Sequence, residues 1–91
     1  MKARSRQTRE AAELLAIQAL AFIAEEPERL NGFVAVTGIA TDRIRAAAQE
    51  PGFLAGVLAH MLGDESLLLA FAQSAGIDPA DVARASSALG G

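Results

Sequence analysis

His60 is the only histidine among 91 residues, and cysteine is absent altogether. Acid–base or metal chemistry would have to begin at His60, the one side chain whose ordinary pKa lies near neutrality. It stands alone on an apolar stretch between Leu58 and Leu62, and no nucleophile–base pair can be built around it. The carboxylates gather as Glu25, Glu26 and Glu28, and as Asp64 with Glu65. Neither group has further ligands at metal-binding spacing, so both read as residues of helix starts, where an acid meets unpaired N–H groups and the positive dipole end. Gly32, Gly38, Gly52, Gly56, Gly63 and Gly76 occur singly, so no glycine-rich loop is present to cradle a phosphate. These residue types predict no enzyme: no catalytic residue, no metal, no cofactor and no small-molecule ligand.

A different polar cluster, Thr41, Arg43 and Arg45, follows Gly38. A helix, a glycine turn and a second helix form the outline of a DNA-reading motif, and these residues stand where such a second helix meets bases or phosphates. Val34, however, occupies the tight contact position where these motifs usually hold a small residue. In a matching segment further on, Ala72 suits that position better, but the next helix brings Asp78 and Asp81 against a lone Arg84. With no Tyr or Trp to stack on bases, DNA binding is the alternative reading rather than the first.

Charge divides the chain. Lys2, Arg4, Arg6 and Arg9 all precede Glu10, and without them the formal net charge of -3 would be -7. Such an acidic body repels nucleic acid. Residues 1–9 are expected to form a flexible basic tail and residues 10–91 a single helical domain. Leu14 to Ala24 has the length of a signal-peptide core, but Glu10 and Glu13 sit badly in front of it. No stretch reaches the ~18 uninterrupted apolar residues of a membrane span. With no cysteine to suggest an oxidising compartment, a soluble cytoplasmic protein is expected.

The elements that position these residues are read from periodicity and punctuation. Ala and Leu dominate and alternating patterns are missing, which predicts an all-α fold, a compact globule of about six short helices. Helix one is expected from Thr8, its N-cap, to Glu25, apolar nearly all round and hence central. Helix two starts at Pro27, carries Leu30, Phe33, Val34 and Thr37 inward, and ends at Gly38. Thr41 is expected to cap a third helix reaching Gln49 or Glu50, with Ile44, Ala47 and Ala48 inward. Helix four spans Pro51 to Leu62 with Leu54, Val57, Leu58 and Met61 in the core, closing at Gly63. Asp64 caps helix five, whose inward stripe is Leu68, Phe71, Ala72 and Ala75. Asp78 and Pro79 open helix six, which keeps Val82, Ala85 and Leu89 on one face.

Leu30, Phe33, Gly38, Ile39 and Ile44 are echoed 38 positions later by Leu68, Phe71, Gly76, Ile77 and Val82. This reads as a three-helix unit used twice, a pseudo-twofold globule rather than a solenoid.

Hydrophobic residues make up 52% of the chain, more than one small core can cover. Leu67 and Leu69 fall outside the main stripe of helix five, and Phe53 outside that of helix four. Together they predict an apolar patch for a protein partner, with Arg43 and Arg45 giving polar selectivity at its rim. The occupant could be a second copy of the chain or an amphipathic helix of another protein. A protein-interaction module is therefore the leading functional reading.

Residues 15–24 (LAIQALAFIA), Pro27 to Gly38, Pro51-Gly52-Phe53-Leu54, Leu62-Gly63-Asp64-Glu65 and Leu69-Ala70-Phe71-Ala72 together resemble a family of small alphaproteobacterial proteins of the DUF 3572 type, a domain of unknown function. The likeness covers nearly all of the chain after Glu10. It implies a bacterial cytoplasmic protein and brings no activity, ligand or site residue with it.

Overall fold

The computed structural model describes residues 8–90. Residues 1–7 of the expected tail and Gly91 lie outside the described residues. Among the described residues the chain forms six α-helices and one 3-10 turn, with no strand: α1 (Arg9–Ala24), α2 (Pro27–Thr37), the 3-10 turn (Thr41–Arg43), α3 (Ile44–Ala47), α4 (Pro51–Leu62), α5 (Glu65–Ala75) and α6 (Pro79–Ala88). The radius of gyration, 12.5 Å, matches the roughly 12 Å of a compact chain of this length.

Helix ends follow the punctuation closely. The Thr8 hydroxyl accepts from the Ala11 N–H at 3.0 Å and so starts α1. Asp64 accepts from the Leu67 N–H at 3.2 Å at the head of α5. Asp78 accepts from Ala80 while Asp81 reaches back to the Asp78 N–H, the reciprocal arrangement of a capping box. Gly38 and Gly76 end α2 and α5 at φ of 75° and 69°, a region that costs any residue with a Cβ. Gly63 behaves differently, closing α4 in right-handed geometry at φ -82°.

α1, α4 and α6 pack on one another, α2 lies against α1, and α5 lies against α4 and α6. Alanine makes this possible: Ala12, Ala16 and Ala19 of α1 have no exposed surface, and their small side chains let neighbouring backbones approach closely. Leu54, Val57, Leu58 and Met61 of α4, Val82 and Ala85 of α6 and Leu89 just after it complete the centre. Phe33 closes it on one side, its ring edge-on to Phe53 at 5.9 Å and to His60 at 5.1 Å. Phe71 closes it on the other, 5.5 Å from Phe22.

The third helix is shorter than its sequence predicts. Ala40, not Thr41, is the residue before the turn, and no side-chain cap forms there. Thr41 begins a three-residue 3-10 turn instead, followed by a four-residue α-turn. Two constraints act together: without a cap the first N–H groups have no acceptor, and Glu50 must be extended, φ -105° and ψ 125°, because it precedes Pro51. Two inward assignments also change. Thr37 and Ala75, each in the last turn of its helix, are exposed.

α2 and α5 are each 11 residues long and share the offset of 38. The halves differ at their third element, because α6 packs on both α1 and α4 whereas its counterpart is the single turn of α3.

Candidate functional site

α1 is apolar nearly all round beyond Glu13, with Gln18 the polar exception, and α2, α4 and α6 leave part of it uncovered. Its buried side is built of Ala12, Ala16, Ala19, Leu20, Phe22 and Ile23. Its outward side carries Leu14, 63% exposed, and Ile17, 43% exposed, followed by the exposed Ala21 and Ala24. Positions 14, 17, 21 and 24 alternate steps of three and four, so they form one straight seam along the helix. Leu20, Phe22 and Ile23 are buried as large apolar residues usually are, whereas Leu14 and Ile17 are left outside.

The seam opens into an apolar groove of about 470 Å³ between α1, α2 and α3. Ile17, Leu20, Ala21 and Ala24 form its α1 wall, Leu30 comes from α2, and Ile44 and Ala48 form the wall opposite, with Thr41 and Arg45 completing the lining. Arg43 lies on the neighbouring 3-10 turn and is exposed. Among the described residues neither Arg43 nor Arg45 makes an ion pair; the pairs there are Arg9–Glu13 and Arg84–Asp81. The expected polar rim thus borders an apolar surface, but one made by α1 rather than by α4 and α5.

The three residues expected to form the patch have separate roles. Phe53 is half-buried with its ring edge-on to Phe33, and Leu67 is half-buried against the core. Leu69 is 50% exposed. For the alternative DNA reading, Thr41, Arg43 and Arg45 are all exposed, but α3 is one turn long, too short to lie along a groove as recognition helices do. In the second half, Arg84 is engaged by Asp81.

His60 borders an open hollow of about 570 Å³ with Val36, Gly63, Asp64, Glu65 and Ser66. An imidazole, a hydroxyl and two carboxylates are close in space here. Yet Asp64 is engaged as a cap, His60 has its ring against Phe33, and no side-chain hydrogen bond among the described residues joins His60 to Ser66, Asp64 or Glu65. No group of three His, Asp or Glu among the described residues could hold a metal ion.

Sequence reading missed two features. The exposed seam of α1 was hidden because the helix is apolar nearly all round; the 14, 17, 21, 24 spacing was the available signal. Arg29 had no signal at all: its guanidinium lies 3.9 Å over the ring of Phe22 and donates to the Phe22 carbonyl at 3.1 Å, tying α2 to the end of α1.

No single described helix is long and apolar enough to cross a membrane. The pair α4 and α5 passes on length and composition but is bent by 107°, and α4 supplies Leu54, Val57, Leu58 and Met61 to the core.

Fold and site together define a small all-α domain whose most distinctive surface is an uncovered helix face beside an apolar groove. The family model "Protein of unknown function (DUF3572)" matches residues 9–91, and the chain belongs to that family. The comparisons with curated proteins and with solved structures gave no match.

Proposed function

We propose that this protein is a non-enzymatic protein-interaction module that docks a partner on the outward seam of α1 and in the adjoining groove. One observation carries the reading: Leu14 and Ile17 stand 63% and 43% exposed on a helix that buries the large side chains Leu20, Phe22 and Ile23. Covering those two side chains contributes roughly 1 kcal/mol each from area alone. A helix apolar on all sides is normally enclosed, so a partner supplies the missing cover. Arg45 and Arg43 at the far side of the groove add direction through charge. DNA contact through Thr41, Arg43 and Arg45 is the weaker reading, given one short turn of α3 on an acidic chain.

A photo-crosslinking residue placed at Ile17 in the full chain, activated in the native cell, tests the module directly. A protein adduct at Ile17 that is lost when Leu14 is changed to Asp supports it. The absence of any protein adduct in folded, expressed chain overturns it. For DNA, a titration at low salt that depends on Arg43 and Arg45 would favour the alternative.

A further inference from the structure

The groove beside α1 carries a charge pattern as well as apolar walls. Arg45 is the one charged side chain in its lining; it is exposed and makes no ion pair among the described residues. Asp42 and Arg43 on the preceding turn cancel in formal charge, so the α3 wall presents a net cation. The end of the groove is the reverse. Glu25, Glu26 and Glu28 follow Ala24 between α1 and α2, all exposed and none in an ion pair among the described residues. The cation in that corner, Arg29, is turned onto Phe22. One wall therefore selects a carboxylate and one end a basic group.

We infer that the occupant is an amphipathic helix of another protein, with an apolar stripe for the seam, an acidic residue on the flank that faces Arg45, and a basic residue at the end that lies over Glu25 and Glu28. This rests on reading the face as an interaction surface. A helix fits because its backbone arrives already hydrogen-bonded. An extended segment would press unpaired N–H and C=O groups against Ile17, Leu20, Leu30 and Ile44, where only Thr41 and Arg45 offer polar side chains. No strand edge exists among the described residues to pair with it. From Leu14 to Ala24 the seam is about 15 Å long, enough for anchors at i, i+3 or i+4, and i+7 of an incoming helix. Leu14 and Ile17 project along its first half, and the small Ala21 and Ala24 in its second half let the two backbones approach. A second α1 is a poor occupant. Its described ends, Arg9 with Glu10 and Glu13, and Glu25 with Glu26 and Glu28, are both net acidic, so two copies lay acid on acid in either direction.

Selection of displayed helices on the full chain tests the proposal, using a library with a fixed apolar stripe and flanking positions varied among Glu, Lys, Gln and Ser. The expected winners carry Glu on one flank and Lys at one end. Their dissociation constants rise about tenfold or more on Leu14→Asp or Ile17→Asp but not on Leu69→Asp. Selection on Arg45→Glu moves the flank preference from Glu to Lys, and selection on the double change Glu25→Lys and Glu28→Lys moves the end preference from Lys to Glu. Circular dichroism of every variant shows the wild-type helix content. No winner on the wild-type chain overturns the proposal, as do winners without a charge preference or with one that these changes leave unmoved. A dimer in sedimentation equilibrium that Leu14→Asp breaks gives the seam to a second copy and overturns it too. The Ile17 crosslink keeps the two readings apart: an adduct with another protein, alongside selected helices that show no charge preference, ends this inference and leaves the interaction module standing, while no adduct ends both.

Discussion

Arg29 caps Phe22: its guanidinium lies 3.9 Å over the ring and donates a 3.1 Å hydrogen bond to the carbonyl of the same residue. Phe22 in turn packs 5.5 Å from Phe71, so one cation joins α2 to α1 and, through the aromatic pair, to α5. The Phe22 carbonyl also accepts from the Glu25 N–H at 3.3 Å, so Arg29 adds a second donor in the last turn of α1.

Replacing Arg29 by Ala therefore lowers stability by about 1–2 kcal/mol, combining a hydrogen bond from a charged donor with a cation–π contact. Arg29→Lys recovers only part of it, because a point charge cannot stack on the ring and bond the carbonyl together. Urea denaturation of both variants checks this, and equal stability of Lys and wild type would count against it.

Gly38 and Gly32 respond in opposite directions to alanine. A Cβ meets nothing within 4 Å at either position, so backbone conformation alone decides. Gly38 sits at φ 75°, and Gly38→Ala costs about 1 kcal/mol. Gly32 lies inside α2, and Gly32→Ala stabilises by about 0.5–1 kcal/mol. Thermal melts of the two variants should move apart in sign.

Leu58 and Leu14 separate core from surface. Leu58 has no exposed area, and Leu58→Ala costs about 2–5 kcal/mol through lost contacts and a residual cavity. Leu14→Ala, at 63% exposure, changes monomer stability by less than about 0.5 kcal/mol. Denaturation at concentrations low enough to hold the monomer measures both, and a large loss at Leu14 would refute the surface assignment.

The Arg84 guanidinium and the Asp78 N–H both donate to Asp81 and hold its carboxyl below the ordinary value of 3.8. A lowered folded-state pKa gives a contribution that is fully present above the unfolded value and lost as pH falls through the folded one. α6 therefore weakens only under acid below that ordinary value, and Arg84→Ala moves the Asp81 midpoint upward. Carboxyl carbon chemical shifts followed through a pH titration read this directly; an unmoved midpoint in the Arg84 variant would contradict it.

Helix ends were legible because each is set by local chemistry. Thr8, Asp64 and Asp78 cap the helices they precede, Pro27, Pro51 and Pro79 open theirs, and Gly38 and Gly76 close theirs in the left-handed region. The core of α4 was legible too, since Leu54, Val57, Leu58 and Met61 lie on one stripe. α3 was not, because its length depends on a cap that fails to form and on where Pro51 must be delivered. The candidate site was legible in part: Thr41 and Arg45 were singled out and do line a groove, but the apolar wall they border belongs to α1.

The amino-acid order by itself determined an all-α chain, the ends of most of its helices and the scarcity of groups able to do chemistry, since all three depend on residues within a few positions of one another. Which face of α1 is left uncovered was decided only in three dimensions. A helix apolar all round has no preferred orientation of its own; the close approach of α4 and α6 to Ala12, Ala16 and Ala19 turns Leu14 and Ile17 outward.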